Sequence, residues 1–518
     1  MLLELKPAGA GGMSPPALPA ELALLTGVTH DSRQVRPGDL YAALPGSRCH
    51  GARFCAEAAA NGAAAVLTDQ DGRELAAASG LPVLVVADPR SRLGEVAAWV
   101  YGQPSSALLL IGVTGTSGKT TTSYLIEAGL GRAGHVTGLI GGVETRIGTD
   151  VQSSTMTTPE ATDLQAFLAV MTERGVSAAA MEVSSHALAL GRVAGTRYDV
   201  AVFTNLSQDH LDFHPSLDDY FAAKSLLFTP GYARAGVVNI DDSRGRVLAA
   251  AGHIPVTTFS AAGRPDADWR AEQVRAGADG STFRVVGPGG VAADASVAMP
   301  GPFNVANALG AIVALVEAGI GLAAAVSGVA ACPGVPGRLE QVDDGQDFTV
   351  LVDYSHKPGA VEAVLTALRP VTQGSLTIVL GCGGDRDKAK RPLMGAAAAR
   401  LADTAVFTSD NPRSEDPLEI LTQILAGAVG VPPADRAAVV LEPDRAAAIE
   451  LAIGRAGKGD VVLIAGKGHE RGQYTAGAVI PFDDREVARS ALKGRRLLDN
   501  GVLGNGVLGN TSAAPEDA

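Results

Sequence analysis

The stretch IGVTGTSGKTTT, Ile111–Thr122, decides the fold class of this 518-residue chain. It continues the apolar run ALLL, and the segment after it, SYLIEAGL, is typical of a helix. A glycine turn ending in Gly118-Lys119-Thr120 between a buried strand and a helix is the pattern of a phosphate-binding loop, although Val113 stands where the common form has its first glycine. Its glycines let backbone N–H groups converge on phosphate oxygens, and a helix N-terminus favours anions. The stretch therefore predicts a nucleotide-binding α/β domain.

The loop also predicts a role for its polar residues. Lys119 is expected to reach the β- and γ-phosphates, and the Thr120 hydroxyl to serve a Mg²⁺ ion. An ordinary glycine turn is the alternative, but Gly-Lys-Thr-Thr at a strand–helix junction requires several residue types at once. The residues expected to contact the nucleotide are Gly115, Thr116, Ser117, Gly118, Lys119, Thr120 and Thr121.

Composition and charge limit the classes of function. The net charge of -13 argues against nucleic acid as a partner, but not against anionic small substrates. The four cysteines are too few and too scattered for a disulfide framework or a zinc site. The N-terminus lacks the features of a signal peptide, and no apolar run reaches the roughly 18 residues of a membrane span. We therefore expect a globular, cytoplasmic protein without stable membrane association.

Apolar runs that end in glycine or polar residues alternate with alanine-rich segments of helical length. Runs such as ALLLIGVTG, DVAVFTN, LTIVLGCGG and DVVLIAGKG are typical of strands buried on both faces of parallel sheets with crossover helices. YGQPSSA at 101–107 and CPGVPGR at 332–338 interrupt this pattern and predict domain boundaries. The predicted division is three α/β domains, 1–105, 106–335 and 336–498, and a flexible tail, 499–518.

Polar clusters follow two of the apolar runs. MEVSSHALALGR places Glu182 and His186 at the end of the run VSAAAME, and NLSQDHLDFH, after VAVFTN, adds Asp209, His210 and His214. In parallel sheets, functional residues gather where strands end. Oxygen-rich groups beside a phosphate-binding loop suit Mg²⁺, whereas each histidine taken alone is more typical of a structural hydrogen bond. Together the clusters predict a metal beside the nucleotide.

Several motifs together resemble the Mur ligase family, ATP-dependent enzymes that form amide bonds in peptidoglycan precursor synthesis. They are TGTSGKT, TTP at 157–159, EVSSH, NLSQDHLDFH, DYFAAKSLLF and GPFNVANALGA, and the resemblance runs from HDSRQVRPGDLYAAL to AGKGHERGQ. It implies a central P-loop-type parallel-sheet ATPase domain, an N-terminal UDP-binding α/β domain and a C-terminal Rossmann-like α/β domain. It also implies a reaction in which ATP phosphorylates a substrate carboxylate, and an amine then displaces phosphate from the acyl phosphate. The family's loop is usually poor in glycine, which accounts for Val113.

The resemblance implies roles for residues outside the loop. Lys119, Glu182, His210 and Lys224 match catalytic positions, and Thr120, Glu182, His210 and Lys224 match positions that bind Mg²⁺. Lys224 matches a lysine that the family carbamylates with CO₂, because an ammonium cannot ligate a metal whereas a carbamate can. Residue type alone favours a solvated helix lysine at this position.

The remaining matches concern the binding of ATP and the substrates. ATP is expected between the central and C-terminal domains, so that the site is complete when they close. The implied nucleotide contacts are Asn304, Asn307, Arg338, Asp353 and His356. The implied contacts of the uridine diphosphate end are His30, Ser32, Ser47, Arg48 and Cys49, and those of the muramoyl-dipeptide are Thr157, Thr158, Ser184 and Arg192. The implied contacts of the incoming amino acid are Arg386, Asp410, Asn411, Pro412, Arg413, Gly466 and Glu470.

Within the family, the match is closest to the branch that adds the third amino acid, to UDP-N-acetylmuramoyl-L-alanyl-D-glutamate. There the motif DNPR, Asp410–Arg413, goes with meso-2,6-diaminopimelate, whose distal carboxylate needs Arg413. Two arginines and an acid around one pocket suit a ligand with two carboxylates and an amine. L-Lysine and L-ornithine are alternative substrates, and a folylpolyglutamate synthetase and a non-catalytic P-loop scaffold are alternative functions. We expect a monomer that uses ATP, Mg²⁺ and a diamino acid.

Overall fold

The computed structural model describes the backbone of residues 2–4, 25–277 and 279–499, and the side chains of 25–277 and 279–497. Contacts divide the chain into two compact units. The first comprises Met1–Arg275, Ser281–Ala298 and Pro302–Pro333, and the second Ala276–Gly280, Met299–Gly301 and Gly334–Ala518. The predicted tail, 499–518, lies outside the described residues except for the backbone of its first residue. In the described part of the chain, no helix is both long and apolar enough to cross a membrane.

A five-stranded parallel sheet opens the first unit, in the order β1-β5-β4-β3-β2. Its elements are β1 (Leu2–Glu4), β2 (Gly27–Thr29), β3 (Asp39–Ala42), α1 (Cys55–Ala60), β4 (Ala65–Thr68), α2 (Arg73–Ala77), β5 (Val83–Val85) and α3 (Pro89–Val100). Every residue of β3 and β4 is buried, as expected for strands covered on both faces. Helix α3 begins where the Asp88 side chain accepts hydrogen bonds from two backbone N–H groups and proline takes the first helical position.

An eleven-stranded mixed sheet forms the rest of the first unit, in the order β16-β15-β14-β13-β12-β11-β6-β10-β7-β8-β9. Its strands are β6 (Leu109–Thr114), β7 (Thr137–Ile140), β8 (Glu144–Ile147), β9 (Asp150–Ser153), β10 (Ala178–Glu182), β11 (Tyr198–Phe203), β12 (Ala233–Asn239), β13 (Val256–Ser260), β14 (Trp269–Gly277), β15 (Gly280–Val286) and β16 (Ala292–Val297). Its helices are α4 (Lys119–Arg132), α5 (Ala161–Glu173), α6 (Ser185–Ala189), α7 (Leu217–Ser225), α8 (Ser243–Ala251), α9 (Pro302–Glu317) and α10 (Leu322–Ala330). Strand β6 lies between β10 and β11 and is parallel to both, so the carboxyl ends of these three strands meet at one edge.

The second unit contains a six-stranded sheet in the order β17-β18-β22-β19-β20-β21, and a separate hairpin of β23 and β24. Its strands are β17 (Glu340–Gln341), β18 (Thr349–Asp353), β19 (Leu376–Leu380), β20 (Thr404–Phe407), β21 (Ala438–Leu441), β22 (Val461–Ala465), β23 (Gly472–Thr475) and β24 (Ala478–Pro481). Its helices are α11 (Pro358–Leu368), α12 (Lys390–Leu401), α13 (Pro417–Val429), α14 (Arg445–Arg455) and α15 (Asp484–Asp499). Apart from β17, the strands of the six-stranded sheet are parallel.

The four apolar runs quoted from the sequence form the parallel strands β6, β11, β19 and β22. The prediction of buried parallel strands is therefore confirmed at these positions. The antiparallel strands are not predicted from the sequence; they are β8, β9, β15, β16, β17, β23 and β24. Strand β9 is exposed at every position and β15 alternates, so these strands lack the continuous apolar run by which buried parallel strands are recognised.

Candidate active site

The loop predicted to bind phosphate joins β6 to α4, and Lys119 is the first residue of that helix. Gly115 and Gly118 both have positive φ, 148° and 87°. A Cβ on Gly115 would collide with the Thr204 hydroxyl, and a Cβ on Gly118 with the Asn307 side chain, so both positions require glycine. Gly118 is also the N-cap of α4 and offers no side chain as a cap, which leaves a helix N-terminus suited to an anion.

Two lysines meet at the first carbonyl of this loop. The Lys119 ammonium donates to the carbonyl oxygens of Gly115, at 2.9 Å, and Thr116, at 3.1 Å. The Lys224 ammonium, from α7, donates to the same Gly115 oxygen at 2.8 Å. The structure thus brings together two of the predicted catalytic residues and concentrates positive charge where phosphate is expected.

Lys224 lies in the protein interior. Its side chain is 1 % exposed, and the ammonium nitrogen lies 4.5 Å from the centre of the Tyr220 ring. The interpretation from residue type alone, a solvated helix lysine, is therefore wrong. Because burying an unpaired ammonium is costly, this position needs the carbonyl and ring contacts that surround it.

The segment after β11 holds the loop through residues that the sequence analysis did not single out. The Thr204 hydroxyl donates to the Ser117 carbonyl at 2.7 Å, and the Asn205 side chain accepts from the Ser117 N–H at 3.0 Å. The Thr116 hydroxyl lies 3.2 Å from that of Tyr220. Thr204 and Asn205 follow the end of a buried strand, a position at which functional residues gather, and that signal could have identified them.

Two predicted nucleotide contacts on α9 lie beside the start of α4. Asn304 and Asn307 are buried, and the Asn307 amide donates to the Asn304 side-chain oxygen at 3.1 Å. The Asn307 oxygen accepts from the Thr122 hydroxyl at 3.4 Å. Together with the close approach of Asn307 to Gly118, these bonds bring both asparagines to the loop.

Glu182 is the last residue of β10 and is 2 % exposed. One carboxylate oxygen accepts from the Gly142 N–H at 2.9 Å. The Thr158 hydroxyl donates to the Glu182 backbone carbonyl at 2.9 Å and accepts from the Ser184 N–H at 3.0 Å. One predicted catalytic residue and two predicted substrate contacts therefore form one bonded group.

The other two predicted contacts of the dipeptide lie on the same side. A Cβ placed on Gly142 would lie 3.1 Å from the Thr157 hydroxyl, so Thr157 borders the turn that binds Glu182. Arg192 pairs with Glu160 at 2.8 Å, directly after the motif TTP. The structure thus brings all four predicted dipeptide contacts close to the end of β10.

His210 belongs to a cluster of aromatic rings. Its φ is 53°, its Nε2 lies 3.1 Å from Asp209, and its ring is 4.7 Å from that of His186. His186 stacks on Phe213, and His214 lies 3.0 Å from the Ser185 hydroxyl. Burial lowers the pKa of both His186 and His214, so these two imidazoles are neutral at pH 7. The side chain of His210 is 41 % exposed, which lets it meet a ligand.

The oxygen ligands near the loop suit Mg²⁺ that arrives with a nucleotide. Among the residues that the structure describes, no group of three or more His, Cys, Asp or Glu side chains could hold a metal ion by itself. Mg²⁺ commonly takes one or two protein ligands and completes its shell with phosphate oxygens and water. The Glu182 carboxylate and the Thr120 hydroxyl fit that arrangement, because both are hard oxygen donors.

The predicted uridine diphosphate contacts follow the ends of β2 and β3. The ring of His30 lies 3.4 Å from the Thr162 hydroxyl, and the buried Ser32 hydroxyl donates to Glu57 at 2.6 Å. Ser47 and Arg48 are exposed and Cys49 is half-buried, in the loop after β3. Because β2 and β3 are neighbouring parallel strands, both groups lie at the same edge of the sheet.

In the second unit, Arg338, Asp353 and His356 gather around Tyr354. The Arg338 guanidinium lies 4.4 Å from the centre of the Tyr354 ring, and His356 Nδ1 lies 2.7 Å from the Tyr354 carbonyl. Burial lowers the pKa of His356 to about 4, so its imidazole is neutral at pH 7. The Asp353 carboxylate accepts from the backbone N–H groups of Leu339 and Ser355, each at 2.8 Å, and thereby organises the backbone around it.

The two arginines predicted to bind the incoming amino acid both lie near Gly383. Arg413 has φ 54° and donates to the Gly384 carbonyl at 2.6 Å. A Cβ placed on Gly383 would lie 2.9 Å from an Arg413 guanidinium nitrogen and 3.8 Å from Arg386 Cγ. The backbone N–H of Arg413 donates to the Tyr474 carbonyl at 2.9 Å, which ties the motif DNPR to the hairpin of β23 and β24.

The other predicted contacts of the amino acid join the same group. The Asn411 amide donates to Glu470 Oε2 at 2.8 Å. A Cβ placed on Gly466 would lie 2.5 Å from the buried Asp410 carboxylate, and the Pro412 carbonyl packs against Gly384. Loops after β19, β20 and β22 therefore bring all seven predicted residues together.

Buried charges that the sequence analysis missed hold these loops. Arg391 is fully buried and binds Glu415 through both guanidinium nitrogens, at 3.0 and 2.9 Å, and the Gly383 carbonyl at 3.1 Å. The Arg391 guanidinium, with Lys388, holds the pKa of Glu415 well below its usual range. The Lys467 ammonium, 0 % exposed, donates to Asn411 and Glu470. Arginine and lysine are seldom buried, so residue type gives no signal for such roles.

A second buried pair, Arg445 and Asp484, contacts the backbone at the start of two of these loops. Both side chains are 0 % exposed and are joined by two hydrogen bonds of 2.7 Å. The same guanidinium donates to the carbonyls of Ser409, at 3.2 Å, and Ala465, at 3.0 Å, the residues that precede Asp410 and Gly466. The pair therefore fixes the backbone from which two of the pocket loops begin.

A loop of phosphate-binding type beside Glu182, together with a group of two arginines and a carboxylate, is the arrangement expected of an ATP-dependent ligase. The chain belongs to the Mur ligase family. Family models match residues 24–101 (Mur ligase family, catalytic domain), 113–315 (Mur ligase middle domain) and 337–468 (Mur ligase, glutamate ligase domain). They confirm the predicted class of three α/β domains and the resemblance drawn from the motifs, whereas the bounds of the domains stay a prediction.

Individual relatives show which Mur ligases the chain resembles. The chain is 62 % identical over 477 residues to the UDP-N-acetylmuramoyl-L-alanyl-D-glutamate--2,6-diaminopimelate ligase of Streptomyces coelicolor, which covers 92 % of this chain and 94 % of the relative. It is 48 % identical over 471 residues to the enzyme of the same name from Corynebacterium glutamicum, with 89 % and 90 % covered. A solved structure of a UDP-N-acetylmuramoyl-L-alanyl-D-glutamate--2,6-diaminopimelate ligase matches with a TM-score of 0.67 and 34 % identity, over 91 % of this chain and 95 % of that one.

Proposed function

We propose that the protein adds meso-2,6-diaminopimelate to UDP-N-acetylmuramoyl-L-alanyl-D-glutamate, with conversion of ATP to ADP and phosphate. The observation that carries the proposal is the approach of both Arg386 and Arg413 to Gly383, in one group with Asn411 and Glu470. Two guanidinium groups and a carboxylate suit an amino acid with two carboxylates and a free amine. The names of the similar ligases support the same pair of substrates.

The loop and its neighbours suit the transfer of the γ-phosphoryl group to the substrate's terminal carboxylate. Lys119 would exchange the carbonyls of Gly115 and Thr116 for phosphate oxygens and stabilise the charge that develops on them. Thr120 and Glu182 would hold one Mg²⁺ ion, and His210 would hold a second. When bound, Mg²⁺ supplies further neutralisation of phosphate charge.

The amide bond then forms without a protein nucleophile. The neutral amine of the amino acid attacks the carbonyl carbon of the acyl phosphate. The phosphate group leaves with the bonding electrons, and the nitrogen of the new amide releases one proton. The contribution of the protein is to hold both partners in position. Thr157, Thr158, Ser184 and Arg192 would hold the dipeptide, and Arg386, Arg413 and Glu470 the amino acid.

We extend the proposal to a carbamate on Lys224. The neutral amine adds to CO₂, forming an N–C bond and releasing one proton, and the product is a carboxylate at the end of a long side chain. In the structure, Lys224 and Lys119 donate to the same Gly115 carbonyl. Conversion of Lys224 to an anion replaces a like-charge pair with an opposite-charge pair and adds an oxygen ligand for Mg²⁺.

The substitution Lys224→Ala is expected to lower kcat by about 100-fold, because it removes an oxygen group that supports the phosphates. Short-chain carboxylic acids should partly restore the rate, since they fit the vacated space and supply the missing oxygens. Phosphate release at saturating substrates measures both effects. Lys458→Ala, at an exposed lysine, is the control. An unchanged rate in Lys224→Ala would contradict the carbamate.

The substitution Arg413→Ala is expected to raise the KM for diaminopimelate by about 10- to 100-fold, because a charge-assisted hydrogen bond is worth about 1.5–3 kcal/mol. The KM for ATP should stay unchanged. Steady-state kinetics with each substrate varied in turn measure the two KM values separately. Arg400→Ala, at an exposed arginine of α12, is the matched control. Equal effects on both KM values would argue against a direct role of Arg413 in amino-acid binding.

One experiment tests the proposed function as a whole. The protein is incubated with ATP, Mg²⁺ and UDP-N-acetylmuramoyl-L-alanyl-D-glutamate, with diaminopimelate, lysine or ornithine added separately, and phosphate release and product mass are measured. The expected product carries diaminopimelate. Absence of phosphate release with all three amino acids overturns the ligase proposal. Turnover with lysine or ornithine but not with diaminopimelate overturns only the proposed specificity for diaminopimelate.

The proposal includes several features that stay predictions. The enzyme would act in the cytoplasm as a monomer, without stable membrane association and without nucleic acid. The uridine diphosphate end would bind at the loops after β2 and β3, and Arg338, Asp353 and His356 would contribute to the binding of ATP. Sedimentation of the purified enzyme measures its oligomeric state directly.

A further inference from the structure

Lys467 is a fully buried cation bonded to two residues of the predicted amino-acid pocket, Asn411 and Glu470. Its side chain is 0 % exposed, and the ammonium donates to three oxygens. They are the Asn411 side-chain oxygen at 2.9 Å, Glu470 Oε2 at 3.1 Å and the Gly472 carbonyl at 2.7 Å. An ammonium has three donors, so this environment satisfies all of them.

The cation fixes the orientation of two pocket side chains. Asn411 accepts from Lys467 and from the Tyr474 N–H, at 3.1 Å, which leaves its amide group to donate to Glu470 Oε2 at 2.8 Å. Glu470 Oε2 therefore receives donors from both Lys467 and Asn411. Since these bonds engage Oε2, they turn the carboxylate to one orientation, in which Oε1 is the oxygen that can take the amine of a substrate.

Lys467 also adds positive charge to this group of loops. It pairs with Glu470 at 3.1 Å and is a further cation among the loops that carry Arg386 and Arg413. An additional cation favours an amino acid with a second carboxylate over lysine or ornithine, whose side chains end in an ammonium.

We propose that Lys467 is a specificity-determining residue of this ligase, which orients Asn411 and Glu470 for the amine of the incoming amino acid and disfavours amino acids that lack a distal carboxylate. The inference rests on the proposed function. In this proposal the buried lysine selects between substrates, a role that a buried lysine with a purely structural function would not have.

The test compares Lys467→Met with wild type in steady-state ligation of diaminopimelate and of lysine. The KM for diaminopimelate is expected to rise about tenfold or more, because the variant loses charge-assisted hydrogen bonds. The ratio of kcat/KM for diaminopimelate to that for lysine is expected to fall by about tenfold. The KM values for ATP and for the UDP-linked substrate should stay within about twofold, which also shows that the variant is folded. Lys458→Met, at an exposed lysine of the same unit, is the control.

Two further variants keep the test decisive if Lys467→Met does not fold. Lys467→Arg retains the charge and Lys467→Gln does not, so the substrate ratio should stay close to wild type in the first and fall in the second. An equal ratio in both, or an unchanged ratio in Lys467→Met, overturns the inference while the proposed function stands. A wild-type enzyme that ligates no diaminopimelate overturns the proposed function and this inference with it.

Discussion

Lys119→Met is expected to lower kcat by about 10²- to 10³-fold, the largest loss of activity among the variants considered. The reason is electrostatic. The proposed role of this ammonium, at the start of α4, is to stabilise charge on the transferred phosphoryl group, and one such donor contributes on this scale. In the structure the ammonium is held by two loop carbonyls, so the variant loses two hydrogen bonds within the loop as well. Phosphate release at saturating substrates measures the loss.

The loss should fall on kcat rather than on the binding of the amino acid, because Lys119 and the pocket of Arg386 and Arg413 belong to different compact units. Lys493→Met, at an exposed lysine of α15, is the control and should retain full activity. A variant of Lys119 with normal kcat and a raised KM for diaminopimelate would show that the loop does not serve phosphoryl transfer.

Arg445→Met is expected to destabilise the second unit by about 3–5 kcal/mol, the largest stability effect, because it leaves the buried Asp484 carboxylate unpaired. Burial lowers the pKa of the Arg445 guanidinium, but the nearby Asp484 carboxylate more than offsets this, so the pKa lies above its ordinary value. The melting temperature of the unit should fall by about 10 °C. The double variant Arg445→Met with Asp484→Leu should recover much of the loss, since neither charge then remains buried.

The distribution of tryptophan allows the two units to be measured separately. The chain has two tryptophans, Trp99 and Trp269, and both belong to the first unit. Tryptophan fluorescence should therefore report an unchanged transition in Arg445→Met, while calorimetry shows the transition of the second unit at lower temperature. Arg455→Met, at the exposed end of α14, should change the free energy of unfolding by less than about 0.5 kcal/mol. A similar shift in both variants would contradict the assigned role of the pair.

Features with a local chemical signature could be predicted from the sequence. The loop from Gly115 to Thr120 requires glycine for close approach, and its lysine is typical of a phosphate-binding loop, so its residue types predict both its shape and its role. The parallel strands are recognisable because strands buried on both faces carry continuous apolar runs. The motifs around Glu182 and Arg413 were recognisable for a related reason, since their polar residues directly follow such strands.

Features that depend on contacts between distant residues could not be predicted in this way. Lys224 contacts a carbonyl 109 residues away, and Lys467 binds Asn411 across 56 residues. Nothing in the residues beside either lysine distinguishes a buried cation from a solvated one. The antiparallel strands were missed for a different reason, because strands such as β9 are exposed and carry no apolar run.

The loops that carry the amino-acid pocket all begin at the carboxyl ends of β19, β20 and β22, three strands whose apolar residues are buried. Recognition of the amino acid is thus separated from the residues that make the sheet stable. Substitutions in these loops can therefore alter the amino acid that the proposed pocket selects and leave the buried residues of the sheet unchanged. A polar substitution within the strands would instead bury an unsatisfied polar group and destabilise the unit.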